Sequence, residues 1–306
     1  MSLRAVFTLD DLRQWSRNAP LQLAVLGDPV AHSASPPMHM AALGACGLRH
    51  VYGRLHIKPE ELKEAFGRLS ETGFIGVNLT IPHKTAILPL LNHIDPHAKI
   101  MGAVNTVHFK EGELSGFNTD GRGLARAIAD DFGVQLGTLR VMVIGAGGGA
   151  GRAVALQCAL EGCPELILVN RTRHKAEALA REIEALPAQS SAASRVTVLE
   201  SDDAGLQRCL EKTDIILQCS SLGMNEGDPS PISSALLHRQ LLVYDTIYSR
   251  ETQLVLDAKA KGAKTSNGLS MLLHQGALAF EIWFNQPAPV AVMRAALLDY
   301  RKTSSH

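Results

Sequence analysis

Leu139-Arg140-Val141-Met142-Val143-Ile144-Gly145-Ala146-Gly147-Gly148-Gly149-Ala150-Gly151-Arg152 is the stretch on which the fold turns. Its first six residues are mostly branched and apolar, the composition of a strand buried on both faces. A glycine run follows at once, and Ala153 to Leu160 reads as a helix. Glycines between a strand and a helix let backbone N–H groups approach a pyrophosphate at the positive helix end. Gly145, Gly147, Gly148, Gly149 and Ala150 are therefore expected to line a dinucleotide site. A Gly-rich turn without a ligand is the blander reading, and the flanking strand and helix weigh against it.

Toward the C-terminus, strands are expected at 139–144, 166–170, 196–199, 214–218 and 241–245, with helical segments between most of them. That alternation predicts a Rossmann-type doubly wound parallel sheet. The end of its second strand selects the cofactor. NAD sites usually carry Asp or Glu there, bound to the ribose 2′-OH. Here the strand runs into Asn170-Arg171-Thr172-Arg173-His174-Lys175, with three fixed cations and no carboxylate. Arg171 can form charge-assisted bonds to a 2′-phosphate, and Thr172 can add a hydroxyl. Cations at a helix start oppose its dipole, so a bound anion explains them better than solvent does. NADP(H) is the expected cofactor.

Toward the N-terminus, strands are expected at Leu21–Gly27, Val51–Ile57 and Phe74–Leu79. A helix starting at Pro36 would make Ser35 its N-cap. Further helices are expected near Asp10–Trp15, at Pro59–Leu69, at Ala86–Leu91 and near Asp95–Ile100, with a hairpin through Ala103–Val107 and Leu114–Phe117. This is an open α/β sheet. A helix from Gly121 to Phe132 leads into the second sheet, Pro187 to Ser194 reads as a surface loop, and helices at Leu269–Phe284 and Val290–Arg301 close the chain. Two α/β domains follow: a substrate domain of residues 1–120 plus 267–306, and a dinucleotide domain of residues 121–266.

The chain has 306 residues, 46% hydrophobic and 20% charged, with 30 basic and 30 acidic side chains. Nothing in that balance calls for a nucleic-acid or membrane partner, and no apolar run reaches 18 residues. Cys46, Cys158, Cys163, Cys209 and Cys219 form no CxxC pair, which fits reduced thiols in a cytoplasm. His32, His39, His83 and His274 match no metal spacing, so no metal is expected, and a monomer or homodimer acting on a small molecule is the expected state.

Lys84 follows the strand Phe74–Leu79 closely and sits near a helix start, the wrong end for a cation. Such a lysine is either solvated or an acid–base group. Asp120, in Gly116-Phe117-Asn118-Thr119-Asp120-Gly121, is either its partner or an N-cap. The segments Gly27-Asp28-Pro29-Val30-Ala31-His32-Ser33-Ala34-Ser35-Pro36, Asn78-Leu79-Thr80-Ile81-Pro82-His83-Lys84, Gly102-Ala103-Val104-Asn105-Thr106-Val107, Gly116 to Asp120, the glycine loop, Asn170-Arg171-Thr172, Asp245-Thr246-Ile247-Tyr248, and Gly268-Leu269-Ser270-Met271-Leu272 through Gln275 occur in one order. In that order the chain resembles the shikimate dehydrogenase family, from about Leu23 to Trp283.

The resemblance implies reversible reduction of 3-dehydroshikimate to shikimate with NADPH, without metal. It implies Lys84 and Asp120 as the catalytic pair and Ser33 and Ser35 on the substrate carboxylate, with Tyr248 nearby. Thr80, Asn105 and Gln275 would meet ring hydroxyls or line the site. Asn170, Arg171 and Thr172 would hold the 2′-phosphate, and Gly268 would lie at the cofactor. Three features depart from the family pattern: a glycine loop one residue longer, Met40 where Asn is usual, and Arg250 in a shortened segment after Tyr248. They leave room for a paralogue with altered or reduced shikimate activity. The runner-up among enzymes is a quinate/shikimate dehydrogenase that prefers NAD or accepts quinate, and Arg171 argues against its NAD version. A sensor that keeps the fold without turnover is the reading from another class, and retention of both Lys84 and Asp120 argues against it.

Overall fold

The computed structural model describes residues 6–16, 20–187, 194–200 and 205–304. Backbone contacts divide the chain into Met1–Asp120 with Leu273–His306, and Gly121–Leu272. Residues 267–272, expected with the first unit, cluster with the second. The loop expected at Pro187–Ser194 lies mostly outside the described residues.

In the first unit the order is β1 (Phe7–Thr8), α1 (Leu9–Gln14), β2 (Leu23–Gly27), α2 (Ser35–Ala45), β3 (Tyr52–His56), α3 (Leu62–Glu71), β4 (Gly76–Leu79), α4 (His83–Ala86), β5 (His93–Ile94), α5 (Pro96–Met101), β6 (Thr106–Lys110) and β7 (Glu113–Phe117). These strands make one sheet in the order β1-β3-β2-β4-β6-β7-β5. The run from β1 to β4 is parallel, and β6 and β7 form the expected hairpin. Its tip is Glu111-Gly112, both left-handed at φ 54° and 83°, which suits a tight hairpin connection. The core beneath gathers Leu26, Leu55, Phe66, Leu69, Val77 and Val107. Their alternation along strands and their 3–4 spacing on α3 are what put them on one side.

Three local expectations need correction. Ala86–Leu91 is not a helix: α4 is a single turn capped by Pro82, and Leu88–Leu90 is a 3₁₀ turn. Pro89 has no N–H to donate and cannot sit inside a regular helix. The helix α2 begins at Ser35, one residue early, with Ala34 in the cap position. Ser35 is thus not the N-cap; Ser33 Oγ accepts the Ser35 N–H instead, at 3.3 Å.

The helix α6 (Asp120–Phe132) starts on the last residue of the first segment and leads into the second unit, followed by β8 (Arg140–Ile144), α7 (Gly149–Leu160), β9 (Glu165–Val169), α8 (Arg173–Glu184), β10 (Arg195–Leu199), α9 (Gly205–Leu210), β11 (Ile215–Gln218), β12 (Leu242–Asp245), α10 (Gln253–Ala260) and β13 (Lys264–Asn267). The sheet is parallel throughout, ordered β10-β9-β8-β11-β12-β13. Counted from β8 that is 3-2-1-4-5-6, the doubly wound Rossmann order, whose direction reverses between β8 and β11. Ligands in such sheets bind at that reversal, beyond the strand carboxyl ends. Val141, Met142, Val143, Leu166, Ile167, Leu168, Ile215, Ile216 and Leu217 are all buried, as a sheet covered on both faces requires.

The chain ends with α11 (Leu269–Phe284) and α12 (Val290–Ser304). The start of α11 is fastened within the second unit. Asp131 accepts from Ser266 and Ser270, each at 2.5 Å, and the buried Tyr244 hydroxyl accepts the Met271 N–H at 3.0 Å. Further along, Trp283 donates its indole N–H to Val107 O at 3.0 Å, and Gly76 has no room for a Cβ beneath that ring.

Candidate functional site

One face of the first sheet carries the polar groups. Val25 pairs in register with both Arg54 and Asn78, and Asn78 pairs with Thr106. Paired residues share a face, as do alternate residues of one strand. Tyr52, Arg54, Asn78 and Thr106 therefore project to one side of the sheet.

Lys84 lies directly past β4. Its Nζ donates to Asp120 Oδ2 at 2.7 Å, and its own carbonyl accepts the Val104 N–H at 2.8 Å. The lysine side chain is 34% exposed and the aspartate 19%, so the pair is accessible yet mostly shielded. Because α4 is one turn long, helix-dipole repulsion is not what defines Lys84; its carboxylate partner is. Asp120 is the first residue of α6, not its cap. The capping bond comes from Asn118, whose Oδ1 accepts the Asp120 N–H at 3.1 Å while its Nδ2 donates to Ala103 O at 3.0 Å. Both Asp120 oxygens are left for side chains: Oδ2 for Lys84, and Oδ1 for Asn105 Nδ2 at 2.8 Å.

Asn105 is the junction. Its Nδ2 also reaches Thr119 Oγ1 at 2.9 Å and Gln275 Oε1 at 3.5 Å, and its Oδ1 accepts the Thr119 N–H at 2.8 Å and the Thr106 hydroxyl at 3.1 Å. Behind it, Asn78 Nδ2 donates to Thr106 Oγ1 at 3.1 Å, and the buried Tyr52 hydroxyl donates to Asn78 Oδ1 at 2.7 Å. Burial pushes the Tyr52 phenol well up, partly offset by a bond with Ser35 and by the Arg54 charge. Four of the expected site residues, Lys84, Asp120, Asn105 and Gln275, are thus in direct hydrogen-bond contact. Gln275 is buried, so its amide faces protein groups rather than solvent. Ser33, Ser35 and Thr80 belong to the same unit, with Thr80 N bonded to Leu26 O at 3.0 Å. Tyr248 follows β12 in the second unit and is 38% exposed.

Tyr52, Arg54, Asn78, Thr106 and Thr119 were not singled out from sequence. A polar residue inside the apolar run Phe74–Leu79 was the available signal for Asn78; the others needed strand register. Met40 Sδ accepts the Tyr52 N–H at 3.2 Å, so this departure from the family pattern packs on β3. Arg250 helps hold the Asp228 carboxyl low, after the backbone donors of Asn225 and Gly223.

The glycine loop bridges β8 and α7. Gly145 is left-handed at φ 80°, and its N–H bonds Val169 O at 2.9 Å. A Cβ on Gly151 would collide with Gly145 O, and one on Gly147 would meet Asn170 Nδ2 at 2.6 Å; around Gly149 nothing lies within 4 Å. The helix starts at Gly149 rather than Ala153, so Gly149 and Ala150 lie in its first turn. Gly151, absent from the expected set, is the glycine that packs strand turn against helix. Asn170 is spent on the loop itself: Oδ1 accepts the Gly147 N–H at 3.1 Å and Nδ2 donates to Thr172 O at 2.9 Å. Arg173 pairs with Glu177 at 2.9 Å. Arg171 is exposed and has no side-chain partner among the described residues. Gly268 sits where a Cβ would strike Thr246 O. Among the described residues no cluster of His, Cys, Asp and Glu could hold a metal, and no helix is long and apolar enough to cross a membrane.

Family comparisons agree along the chain. Residues 25–107 match the shikimate dehydrogenase substrate binding domain, 124–225 match shikimate/quinate 5-dehydrogenase, and 268–298 match the shikimate 5′-dehydrogenase C-terminal domain. The shikimate dehydrogenase (NADP(+)) of Methanopyrus kandleri is 39% identical over 281 residues, covering 91% of this chain and 95% of its own. That of Symbiobacterium thermophilum is 40% identical over 289 residues, covering 94% and 96%. Among solved structures, shikimate 5-dehydrogenase from Thermus thermophilus in complex with NADP(H) and shikimate aligns with a TM-score of 0.79. It is 36% identical and covers 92% of this chain and 99% of that one.

Proposed function

The chain belongs to the shikimate dehydrogenase family, and from that premise we infer the reaction and the residues that carry it. The protein is an NADP-dependent oxidoreductase that interconverts shikimate and 3-dehydroshikimate. NADP(H), when bound, gives a hydride to the substrate ketone or takes one from the alcohol. The residues present fit that cofactor. Gly145, Gly147 and Gly151 keep side chains out of the turn, Gly149 leaves open space, and Arg171 has no internal partner among the described residues to compete with a 2′-phosphate.

The remaining work is proton transfer and positioning. In the reducing direction Lys84 Nζ donates a proton to the substrate oxygen as negative charge develops there; in the oxidising direction it takes that proton back. Asp120 aims the ammonium through Oδ2. Asn105 holds Asp120 by its other oxygen, so the carboxylate cannot rotate freely. Ser33 and Ser35 take the substrate carboxylate, and Thr80, Asn105 and Gln275 take ring hydroxyls.

The observation that carries this reading is the 2.7 Å Lys84–Asp120 bond, with Asn105 on the second oxygen. The test is initial-rate kinetics with NADP+ and NAD+ against shikimate and quinate. Turnover is expected with NADP+ and shikimate. Lys84→Ala should lower kcat by roughly 10²–10⁴-fold with little change in KM, the usual range for a lost acid–base group. A variant within about tenfold of wild type would remove the lysine from the mechanism.

A further inference from the structure

We propose that Arg54 is a charge-recognition residue for the substrate carboxylate, and that it sets the preference for an acid over its neutral analogues. The inference rests on the functional reading above, in which Ser33 and Ser35 receive that carboxylate. Serine hydroxyls are neutral, and binding an anion at a partly buried site without a countercharge is costly.

The helix that begins at Ser35 does not supply the missing charge. Its cap and first three residues read Ala34-Ser35-Pro36-Pro37. An ordinary helix start presents four unbonded N–H groups, but proline has none, and Ser35 spends its own on Ser33 Oγ. One backbone donor remains.

Arg54 stands where a cation is needed. It projects to the sheet face that also carries Tyr52 and Asn78. Its Nη2 donates to Ser33 O at 2.6 Å and its Nε to the same oxygen at 3.2 Å. Its field also reaches the Tyr52 phenol that bonds Ser35. No carboxylate among the described residues pairs with it. Only two of its five N–H groups are engaged by that oxygen. A half-buried guanidinium with no anionic partner among the described residues is complementary to an incoming anion. Arg54 thus does two things: it fixes the Ser33 peptide, and it leaves a positive charge uncompensated beside the two serines.

The test compares shikimate with its methyl ester, which keeps the ring and loses the charge. Steady-state rates at saturating NADP+ are measured for wild type, Arg54→Met, Arg54→Gln and Arg54→Lys. For Arg54→Met and Arg54→Gln the KM for shikimate should rise by about tenfold, with kcat within about threefold and the ester KM raised several-fold less than that of the acid. Arg54→Lys keeps the charge and should recover most of the discrimination. An equal KM rise for acid and ester would make Arg54 only a scaffold for Ser33 and overturn the proposal, as would no change in either. If Arg54→Met does not fold, as judged by circular dichroism, Arg54→Gln decides. Should wild type turn over neither compound, the functional reading fails separately. Calorimetric binding of shikimate and the ester to the same four proteins then decides the role of Arg54 by the same selectivity.

Discussion

Thr119 donates its backbone N–H to Asn105 Oδ1, and that bond orients the amides of Asn105 and Asn78. A backbone N–H can only donate, so the facing atom of Asn105 is oxygen, and Nδ2 turns to Asp120. The Thr106 hydroxyl must then donate to Asn105 Oδ1 and accept from Asn78 Nδ2, which leaves Asn78 Oδ1 for Tyr52. Thr106→Val is nearly isosteric and breaks this chain in the middle. Asn78 Nδ2 would keep only its long bond to Asn105 O at 3.4 Å. Stability should fall by about 1–3 kcal/mol, the usual cost of an unsatisfied buried polar group, as read by urea unfolding. The kcat should fall several-fold while the KM for NADP+ holds; unchanged stability and rate would show the chain to be incidental. At the other site, Arg171→Ala should raise the KM for NADP+ by about tenfold or more and leave that for NAD+ nearly unchanged, because a charge-assisted phosphate contact is lost. Equal effects on both cofactors would place Arg171 away from the 2′-phosphate.

Two glycines of one loop make opposite predictions for the element they start. A Cβ on Gly151 collides with the Gly145 carbonyl, which is backbone and cannot swing aside, whereas nothing lies within 4 Å of one on Gly149. Gly151→Ala should lower the melting temperature and weaken NADP+ binding by more than about tenfold, since the turn must open to admit the methyl. Gly149→Ala should be neutral or raise helix stability by up to about 1 kcal/mol. Thermal melts and NADP+ titrations on the two variants check the contrast. This pair also marks the limit of what the sequence made legible. Strands β8, β9, β11 and β12 were readable to within a residue or so, because doubly covered parallel strands are continuous apolar runs. The strand–loop–helix order located the glycine turn between β8 and α7. The extra glycine hid which residue packs closely, since the number of glycines does not say where the helix begins. The apolar run after Lys84 misled because Pro89 outweighs hydrophobicity. The residues Lys84, Asp120, Asn105 and Gln275 stood out by pattern, whereas Tyr52, Thr106 and Thr119 belong to a network fixed by strand register, which no local signal carries.

At the scale of the whole molecule the two units should respond to acid differently. His39 is fully buried, stacks on Tyr52 with centroids 4.3 Å apart, and has no partner for Nε2 among the described residues. Burial drops its pKa from the usual 6.5 to about 3. His83 and His108 are also lowered, each chiefly by desolvation, and all three lie in the first unit. Between pH 6.5 and 3 the unfolded chain binds a proton at His39 that the folded chain refuses. Its stabilising contribution is therefore complete above pH 6.5 and declines as pH falls, by up to about 1.4 kcal/mol per pH unit. In the second unit shifted carboxyls of both signs occur. Burial raises the Asp245 carboxyl, so the folded form holds its proton more tightly and gains as pH falls. The Asp214 carboxyl is held low by Arg140, so its contribution is lost only as pH falls below the ordinary carboxylate range. Amide hydrogen exchange, corrected for the intrinsic pH dependence, should then show protection lost first in β2, β3 and β4 between about pH 6.5 and 4.5, with β8 and β11 still protected. His39→Phe keeps the stack without the titration, so it should flatten that loss. If the second unit opened first, or if His39→Phe left the acid profile unchanged, the buried imidazole would not be the group that makes the first unit acid-labile.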